Sequence, residues 1–385
     1  SPLQRDLLRG RLLSVQGEDA AALASLESAF ARAPTNAVAR YLAGSTAQRL
    51  GQSDKAIFHF QQSVGLDPSA TDAAVELATL FLARGQNAQA LSAARLALGA
   101  RPTSRARALP IASRAHIALG EFDEARPYID ALAEMPGQAT KAVHERALLV
   151  AHTDGPEAAV RTIEDSDVDL LAARNEVLLR LLADGLVQIG RGDEALVRMD
   201  AAVERNPASA AHRDARARVL ARLGRTEAAR DAFREALQID PGYDSALAGL
   251  GLLAAGEGNR EEAIALLDRA NADGISDPDS ALLAASLVME QGRLEEAERR
   301  FRAILAAAPG HAPTLNDLAW TLAKRSGDLD EALALAERGA EISPTPETLD
   351  TLGWIRLERG EPALAIGPLE RALDEQPDAS STRYR

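Results

Sequence analysis

Small and apolar residues recur at helical spacing on both sides of Gly224, within the stretch Ser209 to Gly242. Ala229, Phe233 and Ala236 follow the glycine on one face, and Pro241 closes the run where a proline cannot continue a helix. The pattern predicts two helices joined at Gly224. No stretch of the chain alternates apolar and polar residues as a half-buried strand would require, and β-branched runs are scarce.

The same spacing recurs through almost the whole sequence. Glycines stand at Gly17, Gly51, Gly85, Gly120, Gly155, Gly190, Gly224, Gly258, Gly292, Gly327 and Gly360, with gaps of 33 to 35 residues. Five residues after each stands an alanine, from Ala22 through Ala365, except that Val160 follows Gly155. Seventeen residues after eight of the glycines come prolines, Pro34 through Pro377. A period of this length with a glycine turn belongs to helical hairpin solenoids.

The joint recurrence of turn Gly, helix B Ala and apolar residue, and closing Pro resembles the tetratricopeptide repeat family. It covers about eleven units from Leu3 to near Pro377. The resemblance implies an all-α fold, a right-handed α-solenoid of about eleven hairpins in one array over 1–385. Units are expected near 3–36, 37–70, 71–105, 106–140, 141–175, 176–209, 210–243, 244–277, 278–312, 313–345 and 346–379. Arg40, Arg213 and Asn316 replace the family's bulky residue early in helix A, and the fifth unit, 141–175, is irregular.

The spacing has a physical reading. Glycine ends helix A in a left-handed conformation that costs no Cβ clash. The helix B alanine lets helix A approach closely, and Gly10, Gly44 and Ala78 are the matching small residues of helix A. Phe60, Phe233 and Phe301 are expected to fill the gap to the next hairpin. Each hairpin leaves apolar surface for its neighbours to cover.

Length alone, 385 residues, would suggest two or three globular domains, but the repeats favour one array. The net charge of −14 argues against sequence-independent nucleic-acid binding. Without cysteine, no disulfide, cysteine-ligated zinc or thiol chemistry is available. No run approaches the roughly 18 apolar residues of a membrane helix. Both ends break into a repeat, so the chain reads as a fragment of a longer protein, with DASSTRYR after Pro377 opening a further helix.

Four local features stand outside the repeat. Pro110 inside the first helix of the fourth unit should shift its start or kink it. Arg101, Arg105, Arg107, Arg114 and Arg126 cluster there, as a solvated helix face or, alternatively, an anion site. The acidic run EDSDVD reads as a loop, since calcium-loop spacing is absent. His144 and Glu145 are adjacent, which on a helix points them apart. No catalytic, cofactor or metal motif is present.

Binding is the remaining function, and the resemblance implies that helix A residues line a concave groove. Carried over, these are Tyr41, Gln48, Arg49, Arg114, Arg180, Asp184, Asp214, Arg218, Arg222, Asp317, Thr321, Lys324, Arg325, Asp350, Trp354 and Glu358. The family's basic clamp for a peptide carboxylate is not among them. Trp354 is either an aromatic anchor or a packing residue, while Trp320, one position earlier in register, should pack inside. LNDLAW and LDTLGW also resemble repeats of bacterial cell-envelope lipoproteins of exopolysaccharide production and exosortase systems.

The expected function is a non-enzymatic scaffold holding proteins or extended peptides. Its place is an adaptor in bacterial exopolysaccharide or surface-protein export, periplasmic or envelope-associated. The alternative is a recruiting array of an enzyme whose catalytic domain lies elsewhere, with a cytoplasmic location. Neither reading includes a cofactor, a nucleic acid or a transmembrane segment.

Overall fold

A computed structural model describes residues 2–99, 101–325 and 327–375. Pro377 and the segment 378–385, expected above to close one repeat and open another, lie outside the described residues. Among those described, every regular element is helical. The architecture is the all-α array of helical hairpins that the glycine period implies.

The chain divides into two compact units, Ser1–Pro241 and Gly242–Arg385. In the first, α1 (Pro2–Val15) pairs with α2 (Asp19–Arg32), α3 (Ala37–Arg49) with α4 (Ser53–Leu66), and α5 (Thr71–Ala83) with α6 (Asn87–Leu98). Then α7 (Pro102–Ala118) pairs with α8 (Phe122–Ala133), α9 (Ala139–Thr153) with α10 (Pro156–Glu164), α11 (Glu176–Gln188) with α12 (Gly192–Arg205), and α13 (Ala210–Arg222) with α14 (Thr226–Ile239). In the second unit, α15 (Asp244–Gly256) pairs with α16 (Arg260–Ala270) and α17 (Pro278–Glu290) with α18 (Leu294–Ala307). There too α19 (Ala312–Arg325) pairs with α20 (Leu329–Ile342), and α21 (Pro346–Glu358) with α22 (Pro362–Glu375). Odd-numbered helices are the A helices and even-numbered ones the B helices.

The hairpin around Gly224 shows why the sequence folds this way. Ser209 caps α13, its side chain accepting from the His212 backbone N–H. Gly224 leaves the helix at φ +72°, as its register counterparts from Gly17 to Gly360 do at comparable angles. The Arg225 N–H then returns to the Leu220 carbonyl at 2.9 Å, closing the last turn of α13 before α14 begins. One residue without a Cβ thus ends one helix and aims the next.

Close approach between A and B helices is visible where the A helix carries glycine. A Cβ on Gly44 would stand 2.7 Å from the Phe60 ring, and one on Gly251 would stand 2.7 Å from Leu267 and 3.4 Å from the Ala263 carbonyl oxygen. Phe60 therefore presses on the A helix of its own hairpin, with the Tyr41 ring 5.9 Å away, rather than only filling the space toward the next. Phe60, Phe233 and Phe301 are almost completely buried, each contributing about 2 to 3 kcal/mol of burial.

Within each unit the hydrophobic core passes from hairpin to hairpin. In the first it runs from Leu23 to Ala115, with smaller clusters around Ile129 and Leu132; in the second it runs from Ala254 to Ile355. Neighbouring A helices approach one another, as α5 does α7, α7 does α9 and α19 does α21. No two B helices among the described elements come as near. The A layer is therefore the shorter, inner side of each stack, and its solvent-facing residues line a concave face.

The fourth and fifth hairpins depart from the rule. Helix α7 runs seventeen residues, straight through Pro110, and starts early at Pro102, a position that suits the fixed φ of proline. Helix α10 has only nine residues. Its Val160 replaces the usual alanine and is accommodated by Gly185 of α11, where a Cβ would meet Val160 at 2.8 Å. The acidic run after α10 is a loop, followed by the 3-10 turn Ala173–Asn175.

Ala229 is fully buried between α13 and α14. Replacing it with Leu should overpack that pair and lower stability by roughly 1 to 3 kcal/mol. Chemical denaturation of wild type and Ala229→Leu measures this directly; an unchanged midpoint would mean that the register is misplaced.

Candidate functional site

The A helices place their polar residues on the concave side of each unit, yet many of these side chains are already engaged. In the first unit Arg49 chelates Asp19 at 2.7 to 3.1 Å and also touches Ser14. This pairing lowers the Asp19 carboxyl below its ordinary value, chiefly through the hydrogen bond. Arg222 reaches across to Asp184 at 2.5 Å. Arg218 holds Asp214 of its own helix at 3.0 Å, and Arg180 lies 3.6 Å from Glu176. Tyr41 is half-buried against Phe60, and Gln48 is half-buried nearby on the same helix.

Arg114 makes the most deeply seated pair. Its guanidinium donates to both oxygens of Glu145 at 2.6 to 3.0 Å, and the Glu145 side chain is only 1% exposed. His144 is not turned away as helical adjacency suggested: its Nδ1 lies 3.2 Å from Glu145 Oε1. Burial alone would raise the Glu145 carboxyl, but hydrogen bonds from His144 and Arg114 outweigh it and hold the group below the usual carboxylate value.

In the second unit Arg325 pairs with Glu298 at 2.6 Å. Asp317 accepts from Ser286 at 3.1 Å, and Thr321 is buried, donating to the Asp317 carbonyl at 2.7 Å. Asp350 is buried as well. Trp354 is 7% exposed. Its ring lies 4.7 Å beneath the Lys324 ammonium, and its indole N–H donates to Glu358 at 3.1 Å. Of the two readings open for Trp354, its position in the free chain is that of a packing residue. Trp320, expected inside, is the more exposed of the two.

One concavity gathers A-helix residues from four neighbouring hairpins of the first unit. A cavity of about 440 Å³ is lined by α5, α7, α9, α11 and the turn before α11. Of the expected groove residues it contains only Arg114; Arg107 of the arginine cluster and the His144–Glu145 pair also line it, and it adds Lys141 and Arg174. Thr140 donates to Asn175 at 2.9 Å and Asn175 to the Asp169 carbonyl at 2.9 Å, which ties the Arg174 turn to α9.

The sequence carries a signal for part of this site. Glu76 with Arg107, Arg114 with Glu145, and Ser286 with Asp317 are each 31 residues apart, one repeat less about one helical turn. Arg222 with Asp184, also a tie between A helices, stands 38 residues apart, so a scan at 31 finds only some of these ties. Arg174 lies in a segment with no period, so no such scan reaches it.

Comparisons with known proteins agree with the hairpin architecture. One family profile, described as tetratricopeptide repeat, matches residues 41–105 and 180–244, and a second of the same description matches 220–287 and 288–354. Together they span more than half of the chain. A TPR repeat-containing protein of Pseudomonas aeruginosa is 34% identical over 93 residues, which are 24% of this chain and 16% of that protein. The cytochrome c-type biogenesis protein CycH of Bradyrhizobium diazoefficiens is 28% identical over 213 residues, 49% of this chain and 57% of that protein. The chain thus spans less than two thirds of either relative, 16% of one and 57% of the other. Among solved structures, Pseudomonas aeruginosa pilF superimposes with a TM-score of 0.47 at 19% identity, covering 53% of this chain and 93% of that one. PilW, a type IV pilus biogenesis factor, gives 0.45 at 23% identity, covering 55% and 97%.

Removing the counter-charge of a buried carboxylate is costly, so Arg114→Ala should destabilise the protein by roughly 3 kcal/mol at neutral pH. Because the folded-state pKa of Glu145 is depressed, the stabilisation is complete above the ordinary carboxylate value and fades as pH falls below it. The gap between wild type and Arg114→Ala in urea titrations should therefore narrow on acidification. A gap independent of pH would show that the ion pair is not its source.

Proposed function

We propose, from the premise that this chain belongs to the tetratricopeptide repeat family, that it is a non-catalytic scaffold whose concave A-helix faces hold segments of partner proteins. The observation that carries the reading is the construction of those faces. Polar ties between successive A helices, such as Arg222 to Asp184 and Arg114 to Glu145, fix the spacing of the side chains before any partner arrives. A surface formed in advance loses little conformational freedom on binding, so several modest contacts can add up to useful affinity.

We further propose that its partners belong to an assembly or export process of the bacterial envelope, such as exopolysaccharide or surface-protein export. Two things support this finer reading: similarity across 49% of the chain to a protein named for cytochrome c biogenesis, and the LNDLAW and LDTLGW phrases. In this role the protein positions other proteins and carries out no bond-making step itself.

Crosslinking in the native cells, followed by purification of the full-length protein, tests both levels. The comparison variant is Arg222→Glu with Arg325→Glu, two exposed concave-side positions; thermal melts confirm that it folds. Envelope assembly components recovered with wild type and depleted with the variant are the expected result. Recovery of cytosolic partners alone would remove the envelope assignment, and no specific partner above an untagged control would remove the scaffold itself.

A further inference from the structure

We propose that the cavity between α5, α7, α9 and α11 binds an acidic stretch of an extended partner peptide, with one apolar side chain on its floor and flanking carboxylates at Lys141 and Arg174. The inference rests on the scaffold reading and narrows it to one subsite and one ligand chemistry. It differs from the family's carboxylate clamp because it depends on the irregular fifth hairpin.

The floor is apolar. Val75, Ile111 and Leu178 line it and are buried, and Val177, 51% exposed, and Pro110 line it as well. Its volume of about 440 Å³ falls in the range of roughly 300 to 1,000 Å³ typical of pockets that enclose small ligands. An uncovered valine beside buried aliphatic side chains gives a peptide's apolar group something to displace water from.

The rim is cationic, and the cations differ in how far they are committed. Arg114 is spent on Glu145, and Arg107 lies 2.5 Å from Glu76 of α5. Lys141 and Arg174 are exposed and have no ion-pair partner among the described residues. Glu145 is the carboxylate that lines the cavity, but its side chain is 1% exposed with both oxygens held by Arg114, so it offers little repulsion. Glu176, close by in sequence, is paired with Arg180. A peptide entering here meets two uncompensated positive charges over an apolar surface.

The geometry that creates this arrangement is the shortness of α10. Ending after nine residues, it leaves the 165–172 loop to run back to the A layer, where the 3-10 turn delivers Arg174 beside α9. Asn175, 3% exposed and bonded to Thr140 and to the Asp169 carbonyl, fixes that turn. The site is therefore held in place, and because the chain's net charge of −14 opposes the approach of any anion at long range, the attraction for an acidic peptide must come from Lys141 and Arg174 at short range.

The test is fluorescence polarisation of the full chain with fluorescein-labelled octapeptides that carry a central Leu flanked by Glu, by Gln or by Lys. The Glu peptide should bind at least about tenfold more tightly than the Gln peptide, and the difference should shrink with added salt. Lys141→Glu with Arg174→Glu should abolish the preference. Arg95→Glu, an exposed change on the B helix α6, should leave it within about twofold. Neither altered cation has a folded-state ion pair to lose, and melts confirm that the variants fold.

Equal binding of the three peptides, an unaffected double variant, or no binding of the Glu peptide up to the order of 1 mM would each overturn the inference. Binding of a labelled oligothymidine in place of the Glu peptide would overturn it too. The scaffold reading is judged separately: partners still recovered by crosslinking after such a failure would leave that reading standing, with its contacts elsewhere.

Discussion

Everything in this structure depends on how closely the two helices of a hairpin can lie. Where the A helix offers glycine, as at Gly44 or Gly251, the opposing Phe60 or Leu267 occupies the space a Cβ would need. Where the B helix offers alanine, its backbone comes within van der Waals reach, as the Ala263 carbonyl does of Gly251. Large side chains then pack against small ones at a fixed offset, and a volume change on either side is felt because the interior is close-packed. The turn glycine serves this contact by reversing the chain in a few residues.

The consequence for function follows from the layer geometry. A helices touch their neighbours in each unit and B helices do so less, so the A layer is the one on which several repeats converge. Polar residues placed there serve two purposes that compete. Arg114, Arg222 and Arg325 stabilise the stack by pairing with carboxylates on other helices, and while so paired they are less available to a partner. Exposed pairs of this kind contribute little stability each, about 0 to 1 kcal/mol, whereas the buried Glu145 cannot lose its arginine without penalty. The fifth hairpin, with α10 cut short, is one place where exposed cations, Lys141 and Arg174, stand without an ion pair among the described residues.

Much of the architecture was legible in the residues because its determinants are periodic. Gly224, Ala229 and Phe233 each state one local requirement, and repetition of all three makes the hairpin unambiguous. Which charged residues remain free was not legible, since that depends on a neighbour 29 to 38 residues away, as for Arg302 with Glu331 and Arg222 with Asp184. Trp354 illustrates the limit: its register puts it toward the groove, but Lys324 from the adjacent A helix covers it. Arg174 and Lys141 carry no signal in the sequence, because the 165–175 segment has no period and a lone lysine on a helix carries no pattern.

In the proposed scaffold the A-helix face, and not the outer B-helix face, receives the partner. Hydrogen exchange of the full-length protein with and without a crosslink-identified partner measures this directly. Slower exchange confined to A helices, led by α7, α9 and α11, with the B helices unchanged, is the expected result. Protection centred on B helices such as α6, α8 and α12, with the A layer unaffected, would contradict it.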